Sequence, residues 1–217
     1  KMYADSVEEL IGKKAVEAFD AENAVLHGAG REDIDARMIG SGRPFVMEMM
    51  NPKKRDVDLA DLEATINQYA EGRVGVKLTG WSSHSEVETL KSNKAHKKYR
   101  ILVEVSGEIS IDELRSALAR LKGAVVHQRT PQRVAHRRAY RIRDRQVIDI
   151  QSPGMQDDKF VIEVVGEAGL YIKELVSGDN GRTNPSLAGI LGKDAHVTSL
   201  DVVLVEEPES GECNGTS

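Results

Sequence analysis

The chain has 217 residues, 40% of them hydrophobic and 30% charged, with a formal net charge of -5. That composition suits a globular domain with a real core and excludes a disordered or collagen-like chain. No apolar run reaches the length of a bilayer span, no secretory signal pattern opens the chain, and a lone cysteine, Cys213, excludes an internal disulfide and a cysteine-based zinc site.

Ser6 followed by Glu9 reads as a capping box, and Val7, Leu10, Ile11, Ala15, Val16 and Phe19 then fall on one helical face. Ala24–His27 reads as a short strand, the glycine-punctuated stretch 28–42 as a loop, and Pro44–Met50 as a strand. Leu59–Ala70 has the spacing of a helix with Leu59, Leu62, Ile66 and Tyr69 inward. Val74–Trp81 is expected to be a strand, followed by a short polar helix or loop to Ala95. Lys98–Val105 alternates as a strand, Ile111–Leu121 as a helix, and Ala124–Gln128 as a strand. Strands are expected over Tyr140–Asp149, Phe160–Val165 and His196–Val205, with short helices at Leu170–Val176 and Pro185–Leu191. From Glu206 the chain becomes an acidic and polar tail, expected to be disordered. Strands and helices mix without strict βαβ alternation, which predicts an α/β fold with a mixed, mainly antiparallel sheet.

The charge is unevenly spread. Residues 129–145 hold seven arginines against one acid, Asp144; residues 91–100 hold four lysines and an arginine; Lys53, Lys54 and Arg55 form a third cluster. One basic run is more often a solvated face, but three, two of them containing Tyr99 or Tyr140, point to RNA. Screening confines each charge to about 10 Å, so a local basic surface can hold phosphates on an acidic protein.

Three segments carry possible chemistry. In Gly30-Arg31-Glu32-Asp33-Ile34-Asp35-Ala36-Arg37 a carboxylate lies between arginines after a glycine that lets the backbone approach a ligand. Such an anion can be a nucleophile, a base or half of an ion pair, and in isolation it is most often the last. Lys97-Lys98-Tyr99 opens a strand with an aromatic that suits either base stacking or the core. Gly169-Leu170-Tyr171-Ile172-Lys173 puts one lysine among apolar residues, as a partner for a buried carboxylate or as a snorkelling surface group.

Taken in order, these segments resemble the pseudouridine synthases: R-x-D at Arg31-Glu32-Asp33, K-x-Y at Lys97-Lys98-Tyr99, and G-x-Y-I-R/K at Gly169–Lys173. The phrases GREDIDARMIGSGRPF, RTPQRVAHRR and YIKELVSGDNGRTNP are similar to those of the archaeal and eukaryotic tRNA pseudouridine(54/55) synthase family, and the resemblance spans about residues 6–205. It implies a pseudouridine synthase fold, α/β (α+β) with helices flanking the sheet. One catalytic domain is expected over residues 1–205, with helix 1–20 entering it and a tail at 206–217. The chain opens at Lys1, as a segment of a longer protein would. The family's N-terminal RNA-binding domain, with its cysteine-bound zinc, is expected to lie outside it.

The resemblance further implies a reaction without cofactor or metal, on a tRNA uridine of the TΨC arm flipped into a pocket. Asp33 would act at the sugar, Lys173 would pair with it, Tyr99 would stack on the uracil and help remove the C5 proton, Tyr171 would line the base pocket, and Arg31 would brace the flipped nucleotide. Arg129, Arg133, Arg137, Arg138 and, more weakly, Arg182 would grip phosphates. A monomer in the cytoplasm, with no membrane and no nucleotide cofactor, completes the expectation. The rival readings are a non-catalytic RNA-binding module, which leaves Asp33 unexplained, and a synthase acting on another RNA.

Overall fold

A computed structural model describes residues 5–92 and 94–206, with the side chains of Arg137 and Glu206 excepted. Residues 207–217, most of the expected tail, lie outside the described residues. In chain order the elements are α1 (Val7–Phe19), β1 (Asn23–Gly28), β2 (Ala36–Met38), β3 (Phe45–Met50), α2 (Leu59–Ala70), α3 (His84–Ser92), β4 (His96–Val105), α4 (Ile111–Leu121) and β5 (Val125–Arg129). A 3-10 turn at Gln132–Arg137 leads to β6 (Ile142–Gln156), β7 (Lys159–Gly166), α5 (Ile172–Ser177), β8 (Thr183–Asn184), α6 (Leu187–Leu191) and β9 (Ala195–Glu206). The described residues form two compact units, 5–29 with 44–92 and 30–43 with 94–206.

In the first unit, β1 and β3 pair antiparallel from Asn23↔Met50 to Gly28↔Phe45. The capping box forms as expected: the Ser6 hydroxyl accepts from the Glu9 N–H, and the Glu9 carboxylate accepts from the Ser6 N–H. Ile11, Phe19, Leu62 and Ile66 make the core of this unit. The expected strand over Val74–Trp81 does not form. Asn67 on α2 donates to the Val76 carbonyl (2.9 Å) and accepts from its N–H (2.7 Å), while Glu63 accepts from the Leu78 N–H (2.6 Å). Helix side chains thus satisfy backbone groups that a neighbouring strand would otherwise have to meet. Val74, Val76 and Leu78 still pack on the core, which explains their apolar alternation.

The second unit is a seven-stranded sheet in the order β2-β9-β4-β7-β6-β5-β8. Every neighbouring pair is antiparallel except β2 with β9, so the expected mixed, mainly antiparallel sheet is observed. Leu114, Leu118 and Leu121 of α4, Leu175 of α5 and Leu187 of α6 pack on Ile101, Val103, Ile162 and Val164. Each such fully buried side chain contributes on the order of 1.5–3 kcal/mol.

The stretch expected to be only a loop also contains β2, whose place depends on an irregularity. The β4–β9 register slips between Lys98 and Tyr99, leaving Val203 without a partner on β4. The Val203 carbonyl accepts instead from the Ser41 N–H (3.1 Å). A Cβ on Gly40 would lie 1.6 Å from that same oxygen, so only glycine fits there. Arg37 and Asp201, paired in the β2–β9 register, add a bidentate ion pair at 2.7 and 2.8 Å.

Candidate active site

Strand alternation sets the floor of the site. Lys97 and Tyr99 share the buried face of β4 with Ile101 and Val103, so the face that enters the core at one end presents a cation and a phenol at the other. Lys97, only 6% exposed, donates to Glu32 Oε1 at 2.6 Å. Arg43 donates to the same oxygen at 2.5 Å, and the Tyr99 hydroxyl is 3.5 Å from Glu32 Oε2. Glu32 therefore ties the start of the loop 30–43 both to β4 and to the loop's own far end. Gly30 allows this approach: its φ is +82°, and a Cβ there would sit 3.0 Å from the Lys97 ammonium. Burial first, and then the charge of Glu32, push the Tyr99 phenol well above its ordinary pKa. It stays protonated across the physiological range, as a hydrogen-bond donor.

Asp33 follows directly. Its Oδ1 accepts from Arg133 Nη1 at 2.6 Å, Lys173 Nζ is 4.0 Å from its Oδ2, and the side chain is 25% exposed. Its carbonyl accepts from the Ala36 N–H (3.1 Å), closing a turn that leaves Ile34 at the surface. Lys173 gives its hydrogen bonds to Asp35 (2.7 and 2.6 Å), so the direct partner of Asp33 is Arg133 and the lysine stands one contact away. The Lys173 ammonium holds the Asp35 carboxyl below the usual range.

Arg133 is clamped from its other side by Glu174, which is 4% exposed and accepts from Nε at 2.7 Å and from Nη2 at 3.2 Å. Burial opposes the guanidinium's charge, but Glu174 and Asp33 outweigh it and raise its pKa above the usual arginine value. Carboxylate, guanidinium and carboxylate thus form one chain, Glu174–Arg133–Asp33, linking α5 to the loop. Arg133, expected to hold phosphates, has its guanidinium committed to these two acids.

Tyr171 precedes α5. The side chain of Gln128, fully buried on β5, accepts from the Tyr171 N–H (2.8 Å) and donates to its carbonyl (2.9 Å). The Tyr171 hydroxyl accepts from Arg138 (3.3 Å) and Arg143 (3.4 Å). Arg31 and Arg129 are exposed, without side-chain partners among the described residues. Arg182 donates to the Thr130 carbonyl (2.7 Å) and lies 5.8 Å from the Tyr140 ring, bracing the arginine-rich segment. The side chain of Arg137 is outside the described residues. The structure therefore gathers Asp33, Lys173 and Arg133 into one ion-pair cluster and sets Tyr99 beneath Glu32. Arg31 and Arg129 are in neither.

Glu32, Arg43, Gln128 and Glu174 were given no role from sequence, and Lys97 entered only as the first residue of the K-x-Y motif. Parity offered a signal for two of them: Lys97 and Gln128 fall on the buried face of their strands, where a polar side chain requires a partner. Among the described residues no group of three or more His, Cys, Asp or Glu side chains is placed to hold a metal, and no helix is long and apolar enough to cross a membrane. What the arrangement offers is a partly accessible carboxylate held in place by a guanidinium, able to act as a nucleophile or a base.

A family model described as "Pus10, C-terminal" matches residues 1–206. The tRNA pseudouridine synthase Pus10 of Archaeoglobus fulgidus is 49% identical over 205 residues, covering 94% of this chain and 57% of the relative. That of Methanothrix thermoacetophila is 49% identical over 203 residues, covering 94% and 45%. The chain spans about half the length of the curated relatives it matches. Among solved structures, a chain of a Cbf5-Nop10-Gar1 complex superposes with a TM-score of 0.59 at 18% identity, over 96% of this chain and 49% of that one. A chain of an H/ACA RNP bound to a substrate RNA containing 2'-deoxyuridine superposes at 0.51 and 17%, over 96% and 47%. At such identities the likeness is one of fold.

Proposed function

The chain belongs to the Pus10 C-terminal family, and from that premise we propose that it carries the catalytic centre of a tRNA pseudouridine synthase acting on uridine 54, uridine 55 or both in the TΨC arm. The observation that carries this reading is Asp33 itself. It is a quarter-exposed carboxylate in a glycine-bounded loop, fixed by Arg133 at 2.6 Å, with Lys173 at 4.0 Å. An ordinary surface ion pair would not need a second, buried carboxylate to hold the arginine in place, as Glu174 does here.

In the proposed reaction the bond from uracil N1 to the sugar breaks, the freed base turns, a carbon–carbon bond forms from C5 to the same sugar carbon, and C5 loses a proton while N1 gains one, so that the product is an isomer of the substrate. Asp33 acts at the ribose, as nucleophile or as base, while Arg133 and Lys173 keep its charge and orientation. Tyr99 stacks on the flipped base. Its raised pKa works against a phenolate, so we assign it stacking and hydrogen-bond donation and do not make it the base for the C5 proton. Arg31, exposed and without a side-chain partner among the described residues, is free to fill the gap the base leaves. Exposed Arg129 and Arg138, together with Arg137, grip phosphates, and Arg182 supports that segment.

The test is to incubate an unmodified tRNA transcript with the protein and map pseudouridine by carbodiimide adduct and primer extension. A new stop in the TΨC loop, absent with Asp33→Ala, is the expected result. A tRNA that binds and acquires no stop would leave a binding module. A stop elsewhere would mean another target.

A further inference from the structure

Building on that RNA reading, we propose that Arg138, Arg143 and the Tyr171 hydroxyl form a single subsite that holds one phosphodiester of the bound RNA. The arginines of residues 129–145 are not equivalent. Arg133 is committed to Glu174 and Asp33. Arg145 donates to the carbonyls of Ala168 (2.8 Å) and Asp144 (2.7 Å). Arg138 and Arg143 instead converge on one neutral oxygen, with guanidinium carbons 6.0 and 5.8 Å from the Tyr171 ring centroid. Neither has a carboxylate within ion-pair distance among the described residues. Asp144, the acid in this stretch, is taken by His127 at 2.6 Å.

Two cations held against one phenol repel each other unless an anion joins them. The phenol oxygen already accepts two hydrogen bonds, so its own hydrogen is left to donate. The remaining guanidinium N–H groups and this O–H form an all-donor set that suits the oxygens of a phosphate. A base carbonyl could take a hydrogen bond here but could not balance two charges.

The subsite is built to stay in place. Gln128 locks the Tyr171 backbone from both sides, and Gln128 and Arg143 are direct partners across β5 and β6. Tyr171 leads into α5, whose Lys173 and Glu174 hold Asp35 and Arg133. The phosphate is therefore held by the residue that precedes, by less than one helical turn, the two that position Asp35 and Arg133. That places it next to the target uridine rather than far along the RNA. The Tyr171 hydroxyl, expected to line the base pocket, is thereby assigned to the backbone.

The experiment is a salt series of binding to an unmodified tRNA transcript. The proteins compared are the wild type, Arg138→Ala, Arg143→Ala, the double alanine variant and the Arg138→Lys, Arg143→Lys double. Each alanine variant is expected to bind about tenfold more weakly or worse and to lower the slope of log K against log salt by about 0.7–0.9. The double alanine variant should lose no more slope than either single one, because the phosphate is shared, and the double lysine variant should recover the slope. Loss of about 1.4–1.8 in the double variant would mean separate phosphates and overturn the proposal. So would slopes unchanged from wild type, or a double lysine variant that behaves like alanine. If the wild type itself did not bind the transcript, the RNA reading would fail first and the subsite with it.

Discussion

Two groups of cations, one around Asp33 and Glu32 and the other at the Tyr171 hydroxyl, are treated in opposite ways. In the first group each of four cations has an acid: Arg133 has Asp33 and Glu174, Lys173 has Asp35, and Lys97 and Arg43 share Glu32. On the Tyr171 side, Arg138 and Arg143 have only a phenol oxygen. The difference separates two uses of positive charge. A cation already matched within the protein positions something, and removing it should cost stability as well as activity. A cation left unmatched awaits an outside anion, and removing it should cost binding alone.

That contrast can be broken in four places. The largest effect is expected for Arg133→Leu, which strands Glu174 in the interior. We expect a loss of about 2–3 kcal/mol in a denaturant titration, below the full cost of a buried pair because the guanidinium is a third exposed. Single-turnover rate should fall on the order of 100-fold or more as Asp33 loses its anchor. An Arg133→Leu protein as stable as wild type would place this arginine among the phosphate grips. Lys97→Met comes next, at about 1–2 kcal/mol, because Glu32 keeps Arg43 but loses its buried partner.

Lys173→Ala should cost less than about 1 kcal/mol at neutral pH, since Asp35 is 61% exposed. This term depends on pH with a definite sign. The folded-state pKa of Asp35 lies below its unfolded value near 3.8, so the stabilisation is present above that value and is lost as pH falls through the folded pKa. Unfolding curves of wild type and Lys173→Ala should therefore converge in acid; a gap that persists there would assign it to packing. Smallest of all, Arg138→Ala should leave stability within about 0.5 kcal/mol of wild type. A larger loss would erase the distinction between the two sides.

Much of the scaffold was legible from local pattern. The helices at Leu59–Ala70 and Ile111–Leu121 have the bounds their periodicity gives, and Ser6 caps as its spacing with Glu9 requires. Val74–Trp81 misled because alternation records which side chains face a core and not which groups satisfy the backbone. The arginine–x–aspartate motif was recognisable through its resemblance to a family, as was the tyrosine before α5. The ion pairs were not. Asp33 and Arg133 are 100 residues apart, and nothing in either neighbourhood says that this arginine, of seven in its segment, is the one that turns inward. Glu174 gave no separate signal, since an acid after Lys173 reads as an ordinary helix pair until its burial is known.

All of this turns on the carboxylate of Asp33 being the group that acts on the RNA. The most direct test compares wild type with Asp33→Asn, which keeps the shape and removes the charge, measuring single-turnover conversion of uridine to pseudouridine beside tRNA affinity. The rate is expected to fall by at least about 1,000-fold, with affinity within about threefold of wild type. Conversion near the wild-type rate, with affinity intact, would contradict it and return Asp33 to the role of a partner for Arg133.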